Sequence, residues 1–371
     1  MASIQKRENG SWRARYRDDG GREHARHFPR KVDAQRWLDE VTASQVTGTY
    51  VDPRAGRVTF DAFMLDWSQR QIWESGTVRA MDLVRRSATF STVPLAQLRA
   101  SHIEAWVKSM SAAGLAPGTV ASRMNGVRSV LKAAVRDRLI PSDPSVGVTL
   151  PRRRRAENAM VIPTPAQVGA ILAAADPYQR PLWALAAFAG LRLGEASAVQ
   201  VGDIDFLRRQ IRVQRQVQRG TGGLEVRAPK YGSERIVYLP DGLLELLSRH
   251  LEEWGTGSDG WLVQAPSGGP VSPSTANAWW KSTTVAAGTE GIRTHSLRHF
   301  YASGLIAEGC DVVTVQRALG HSAPSTTLNT YSHLWPTAED RTRAAAERLL
   351  VGVLNPQPGD DRAQQQAGQL P

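Results

Sequence analysis

The sharpest periodicity in the chain lies near its start. In "SWRARYRD" (residues 11–18), Trp12, Ala14 and Tyr16 alternate with Arg13, Arg15 and Arg17. That is the period-two pattern of a half-buried strand. "DDGG" (18–21) is turn chemistry, and "REHARHF" (22–28) supplies a second alternating strand, with "ASIQKRE" (2–8) as an earlier one. The period then changes: "KVDAQRWLDEVTASQVTG" carries Val32, Arg36, Trp37 and Val41, with Ala34 and Leu38, at helical spacing and stops at Gly48. Residues 1–58 are therefore expected to form a short sheet backed by one helix. Arg13, Arg15 and Arg17 would sit on its open face, a shape suited to a nucleic-acid groove.

From residue 59 to 150 the pattern is helical. "FDAFMLDWSQRQIW", "TVRAMDLVRRSATF", "LAQLRASHIEAWVKSMSAAG" and "GTVASRMNGVRSVLKAAVRDRLI" are four segments divided by Gly, Pro or Thr. In the last, Val120, Met124, Val127, Leu131 and Ala134 share one stripe, and Pro141 and Pro144 end the unit. "PRRRRAENAM" (151–160) reads as a linker, and its Arg152, Arg153, Arg154 and Arg155 would either be solvated or track a phosphate backbone.

Residues 161–353 form the largest unit. Thr164 as N-cap, Pro165 at the first helical position and Gln167 three residues on make a capping-box start. "PLWALAAFAG" (181–190) is a buried helix, "QIRVQRQVQ" (210–218) a strand, and "LEVRAPKYGSERIVYLP" (224–240) a strand interrupted by a turn near Lys230. Helices resume to about residue 353, and the tail 354–371 has almost nothing to bury. The fold class is thus multidomain α+β: a small sheet-plus-helix module, an all-helical domain, and a mainly helical domain with a small antiparallel sheet.

Composition narrows the function. The net charge of +11 favours a polyanionic partner, nucleic acid being the usual one. Six of the 46 basic residues are lysines (Lys6, Lys31, Lys108, Lys132, Lys230 and Lys281), which leaves 40 arginines, a bias that a GC-rich genome also produces. Any task requiring a lysine has few candidates. The single cysteine, Cys310, excludes an intramolecular disulfide. No apolar run approaches the roughly 20 residues of a membrane span, and "MASIQKRENG" lacks a signal peptide's apolar stretch. A cytoplasmic protein with no membrane partner is expected.

Four of the eight histidines fall within residues 295–333, and "LGHSAPSTTLNTYSH" (319–333) is too polar for an ordinary core segment. A metal is not expected. His295 and His299 stand at i, i+4, but no Glu follows the first as in HExxH, no Cys pair exists, and Asp203 with Asp205 reads as a strand start. "GLRLGEAS" lacks a serine-hydrolase elbow, and no phosphate loop argues for ATP. No cofactor is expected. What remains is a cationic phosphate site. Phosphoryl transfer at a diester needs positive charge around the nonbridging oxygens, for which Arg192 and Arg298 are candidates. Tyr331 is a nucleophile, Lys230 an acid for the leaving 5′ oxygen, and His295 and His321 are phosphate ligands or proton carriers.

In order along the chain, "AGLRLGEASAVQVGDIDF", "APKYGSERIVYLP", "HSLRHFYASGLIAEG" and "VQRALGHSAPSTTLNTYSHL" together resemble the catalytic domain of tyrosine recombinases, over roughly residues 160–340. The resemblance places the family's first arginine on Arg192 with an acidic neighbour at Glu195. Its hairpin lysine falls on Lys230, its H-x-x-R pair on His295 and Arg298, its next His/Trp position on His321 and its nucleophile on Tyr331. His299 and His333 match common residues outside that set, and Tyr301 reads as helix core. One departure is visible: Ser296 stands where the family commonly has Asp.

The basic module before a helical domain resembles arm-binding phage integrases. The resemblance implies an arm-type DNA-binding module (1–58), a core-binding domain (59–150) and a catalytic domain (161–353). It also implies double-stranded attachment sites as substrates, a homo-tetramer on DNA, and a C-terminal segment (337–353) passed to a neighbouring subunit. A DNA-bending host factor and an excisionase are further family expectations. A transposon-borne integrase, a type IB topoisomerase and a non-enzymatic DNA-binding regulator are the competing readings.

Overall fold

Three antiparallel strands open the chain in the computed structural model, which describes residues 2–18, 20–47, 50–52, 55–152, 160–220, 222–229, 232–335 and 338–354. Lys230, Arg153, Arg154, Arg155 and the tail from residue 355 lie outside the described residues. The chain divides into two compact units, Met1–Ala159 and Met160–Pro371.

In the first unit β1 (Ser3–Lys6), β2 (Trp12–Arg17) and β3 (Glu23–Phe28) form a meander. The helix α1 (Lys31–Val46) covers the face carrying Ala14 and Tyr16, burying both against Ala34 and Leu38. The opposite face carries the arginines, but it is not purely cationic. Glu23 on β3 pairs with Arg13 at 3.2 Å and Arg15 at 3.5 Å, and Arg15 Nε also donates to Ser3 Oγ. Arg17 is exposed and reaches the Gly21 carbonyl.

Four helices follow: α2 (Phe60–Gln69), α3 (Ser75–Ser87), α4 (Ala100–Ala112) and α5 (Pro117–Arg136). The stripe read from the sequence is the core face of α5, where Val120, Met124, Val127, Leu131 and Ala134 are fully buried. Truncating such a residue to Ala costs about 2–5 kcal/mol for a Leu. Gly126 lets α3 approach, since a Cβ there would stand 2.9 Å from Val84 Cγ2. Trp106 is buried and its indole N–H is satisfied by the Ser87 carbonyl, which fixes α4 against the end of α3.

The second unit begins with α6 (Pro165–Ala174), whose capping box forms as the sequence dictates: Thr164 Oγ1 accepts from Gln167 N and Gln167 Oε1 from Thr164 N. The helix α7 (Arg180–Phe188) is nearly all buried, and a short α8 (Leu193–Ala196) follows. Five strands come next: β4 (Ile204–Asp205), β5 (Gln210–Val213), β6 (Gln216–Arg219), β7 (Leu224–Arg227) and β8 (Arg235–Tyr238). They make a β4-β5-β8 sheet and a β6-β7 hairpin. "QIRVQRQVQ" is therefore two strands, not the one expected. The break falls at Gln214 and Arg215, whose side chains both turn to the buried Asp203, at 2.7 and 2.8 Å. With the Gln200 backbone N–H at 2.8 Å, these two side chains satisfy the buried carboxylate.

Helices complete the unit: α9 (Asp241–Trp254), α10 (Pro273–Ala286), α11 (Thr294–Ala307), α12 (Val312–Leu319), α13 (Pro324–Tyr331) and α14 (Ala338–Leu354). One core joins α6, α7, α9 and α10 to Ile211, Val213 and Val237 of the sheet, and a second gathers Ala302, Ile306, Val315, Leu319 and Tyr331. Among the described residues no helix is long and apolar enough to cross a membrane.

Candidate active site

The candidate residues converge on the C-terminal end of α12. That helix starts at Asp311, whose carboxylate accepts from the backbone N–H groups of Val313 and Thr314. It stops at Gly320, held at φ +63°, a left-handed conformation that glycine adopts without penalty. A helix end leaves carbonyls without helical partners and carries the negative pole of the helix dipole. Here three successive carbonyls each take a guanidinium. Arg235 Nε donates to Ala318 O (2.9 Å), Arg298 Nη2 to Leu319 O (2.5 Å) and Arg192 Nη2 to Gly320 O (3.4 Å).

Glu195 ties two of these cations together. Arg192 caps α8, giving its backbone N–H to Glu195 Oε2 and its Nη1 to Oε1 at 2.7 Å, while Arg235 Nη2 donates to Oε2 at 2.9 Å. The carboxylate is wholly buried. Burial alone pushes its pKa up, but the hydrogen bond and charge of Arg235 and the charge of Arg192 outweigh it and hold the group below the usual carboxylate range.

Arg298 is 1% exposed and is pinned between the carbonyls of Leu319 and Gly190. Among the described residues no carboxylate pairs with it directly. Burial first, then the charge of Arg192, pull its pKa down to about 9, which leaves it protonated at neutral pH. Its neighbours feel this field. Burial, then Arg298, Arg192 and Arg235, lower the His321 pKa to about 4, and His295 is lowered by burial, Arg298 and Arg192. Thr327, fully buried on α13, meets His321 Nδ1 at 2.9 Å and sets the ring.

Tyr331 ends α13. The segment is polar in sequence, yet the phenol is only 1% exposed, and its oxygen lies 2.8 Å from His299 Nδ1. Burial raises the pKa of the phenol, and Arg298 and Arg192 offset this only in part. The structure thus brings Arg192, Glu195, His295, Arg298, His321 and Tyr331 together. Three partners escape sequence reasoning. Arg235 lies within a motif without standing out in it, His299 reads as merely supporting, and Thr327 carries no signal of its own. The signal for Arg235 is its register, because it shares a face with the inward-facing Val237 two positions on along β8, and an arginine facing inward needs an anion.

Of the basic residues expected on DNA, Arg152 is exposed, and Arg13, Arg15 and Arg17 lie on the strand described above. One group among the described residues could hold a cation: Asp18, His24 and Asp52 in the first unit, where their ligand atoms lie within 4.8 Å of one another. His24 already pairs with Asp18 at 2.7 Å, and Arg22 stands 3.9 Å from Asp52.

Comparison with known proteins agrees with this architecture. The model of the phage integrase family matches residues 163–337, and that of the phage integrase N-terminal domain matches residues 78–140. The chain is 26% identical over 363 residues to the prophage phiRv2 integrase of Mycobacterium tuberculosis, covering 93% of this chain and 94% of that one. It is 30% identical over 261 residues to the tyrosine recombinase XerC of Mycobacterium sp., covering 65% and 80%. The Tn1549 transposon integrase, solved with transposon right-end DNA, superposes with a TM-score of 0.67 at 20% identity over 79% of this chain and all of that one. A lambda integrase tetramer bound to a Holliday junction gives 0.56 at 17% identity over 87% and 96%.

The fold is therefore that of the DNA integrases, and the cationic cluster beside a tyrosine suits a strand-transferring enzyme of that class. The chain belongs to the tyrosine recombinase family, and it is a site-specific recombinase of the phage-integrase type.

Proposed function

We propose that Tyr331 cleaves one DNA strand at an attachment site of a phage or prophage. Its oxygen attacks the phosphorus, leaving a 3′-phosphotyrosyl link and a free 5′-hydroxyl. Arg192 and Arg298 hold the nonbridging oxygens, His295 and His321 hydrogen-bond the phosphate, and Lys230 protonates the leaving oxygen. The 5′-hydroxyl of the partner site then attacks the link, so the bond energy is conserved, and two rounds pass through a Holliday junction. The observation that carries this reading is the pair of guanidiniums on adjacent carbonyls of one helix end, within the field felt by Tyr331. The phenol is buried here, so the attack requires the site to open toward the DNA around it.

The wider reading follows the full-length similarity to a prophage integrase. The strand face with Arg13, Arg15 and Arg17 holds arm-type sites, the helical domain of residues 59–150 holds the core site, and Arg152 to Arg155 track the backbone between them. Four protomers act together in the host cytoplasm, with a DNA-bending host factor and an excisionase as further partners. The α14 helix docks on a neighbour. Its Leu349, Leu350, Val351, Val353 and Leu354 are all exposed within one protomer, an apolar surface that needs a partner.

The test is covalent trapping. Protein is incubated with a nicked duplex carrying its core site and resolved on a denaturing gel beside Tyr331→Phe. A shifted band from the unsubstituted protein alone is expected; an equal band from Tyr331→Phe would remove Tyr331 from the role. Truncation after residue 335 is expected to abolish tetramer assembly on DNA, and unaltered assembly would refute the docking of α14.

A further inference from the structure

We propose that His299 is a further catalytic residue: its Nδ1 takes the proton of Tyr331 as the phenol oxygen attacks the phosphodiester. The proposal rests on Tyr331 being the nucleophile. Three imidazoles crowd the site, and they are engaged differently. His321 Nδ1 is occupied by Thr327 Oγ1, and His295 presents its ring edge-to-face to His299 with centroids 4.7 Å apart. His299 is the one whose nitrogen meets the phenol among the described contacts, at 2.8 Å, within the reach a general base requires. The spacing is set by structure on both sides. His299 is one turn beyond His295 on α11, and Tyr331 is packed into the core that includes Ala302 and Ile306 of that same helix.

The protonation states fit. Burial, then the charges of His295 and Arg298, lower the His299 pKa to about 4, so the ring is neutral at pH 7 and free to accept a proton. A phosphodiester seated against Arg298 offsets part of that positive field, and the basicity of His299 rises when the substrate is in place. Burial pushes the phenol the other way, so Tyr331 is not ionised beforehand and needs an acceptor.

The step balances. The Tyr331 oxygen–phosphorus bond forms, the phosphorus–O5′ bond breaks, the phenolic proton passes to His299 Nδ1, and the 5′ oxygen takes a proton from the acid assigned to Lys230. In rejoining, the incoming 5′-hydroxyl displaces the tyrosine and gives its proton back to the group assigned to Lys230, while His299 returns its proton to the phenolate.

The experiment separates a base from a mere hydrogen-bond partner. His299→Asn keeps an acceptor near the Nδ1 position without its basicity. Cleavage is measured on a nicked duplex carrying the core site from the chromosomal junctions of the integrated element. One version has an ordinary 5′ oxygen and the other a bridging 5′ sulfur, which leaves without an acid. Each protein is also made with 3,5-difluorotyrosine at position 331, whose phenol ionises more readily. His299→Asn is expected to cleave about 100-fold more slowly, within the usual range for acid–base catalysis, with DNA binding retained. The sulfur substrate should not restore it, whereas difluorotyrosine should bring it to within about tenfold of the unsubstituted enzyme. Rescue by sulfur and not by fluorine would place His299 on the leaving-group side and overturn the proposal. Unchanged or faster cleavage would also overturn it and mark the contact as a latch on the resting tyrosine. If the unsubstituted protein forms no adduct, or Tyr331→Phe still does, the nucleophile assignment itself fails.

Discussion

Replacing Glu195 with glutamine exchanges one oxygen for an NH2 and should cost much of the second unit's stability. The carboxylate accepts three hydrogen bonds, two of them from guanidiniums, and is wholly buried. Whichever way the new amide turns, its NH2 faces a donor: Arg192 Nη1 on one side, or Arg235 Nη2 and the Arg192 backbone N–H on the other. At least one charge-assisted bond is lost, and Arg192, Arg235 and Arg298 are left without their anion. Removing one partner of a buried ion pair costs about 3–5 kcal/mol. At about 2–4 °C per kcal/mol for a unit of this size, Tm should fall by about 6–20 °C at pH 7.

The pH dependence has a definite sign. Because the Glu195 pKa is lowered by folding, its contribution is fully present above the unfolded value of about 4.3 and is lost as pH falls through the folded one. The gap between the two proteins should therefore close in acid. His299 and His321, held near 4, also destabilise both proteins as pH drops below about 6.5, and Glu195 is not among the charges that shift them, so these two cancel in the difference. Thermal unfolding of both full chains from pH 7 down to about pH 3, below the unfolded carboxylate value, is the assay. A Glu195→Gln protein melting within about 1 °C of the parent at pH 7, or a gap that widens in acid, would refute the reasoning.

Two other substitutions probe the same cluster, and a third probes the strand face of the first unit. Gly320→Ala forces a left-handed conformation worth about 1–2 kcal/mol and sets a Cβ 2.9 Å from Arg235 Cδ; a lowered Tm with slower strand cleavage is expected, and a neutral effect on both would deny the helix end its role. Thr327→Val removes the hydroxyl on His321, a bond worth about 0.5–1.5 kcal/mol, so single-turnover cleavage should slow by about two- to tenfold and recover in Thr327→Ser. Glu23→Gln frees Arg13 and Arg15; arm-site binding should tighten, and its log–log salt slope should steepen by about 0.9 for each phosphate gained, whereas an unchanged slope would place DNA elsewhere.

Periodic features are the legible ones. The α5 stripe, the β2 alternation and the Thr164 capping box each depend on residues a few positions apart, and local physics decides them. The recombinase motifs are legible too, because residue identities in fixed order carry them. What escapes is long-range pairing. Glu23 pairs with Arg13 although it stands opposite Arg17 in the strand register, and Asp203 breaking "QIRVQRQVQ" depends on a side chain reaching from an earlier loop. Arg235, 40 positions from Glu195, resembles any other arginine in a chain with 40 of them. The burial of Tyr331 is concealed by composition: Thr327 and His321 bond to each other, so a polar segment can enter the core with its polar atoms satisfied.

The way the cations are held bears on the chemistry. Three guanidiniums stand around one carboxylate that bonds two of them, which leaves the cluster about two charges positive. Like charges at this proximity repel, and this adds to burial, the larger cause, in holding the Arg298 pKa down. Further carboxylates would relieve the repulsion but would also cancel the field. Carbonyls 318, 319 and 320 solve the problem differently, since dipoles at a helix end fix the direction of each guanidinium while leaving its net charge available. A bound diester carries one negative charge, and its nonbridging oxygens gather more as the attacking bond forms. A field left about two charges positive is therefore better matched to the transition state than to the bound substrate, and that difference, rather than affinity alone, is what accelerates a phosphoryl transfer.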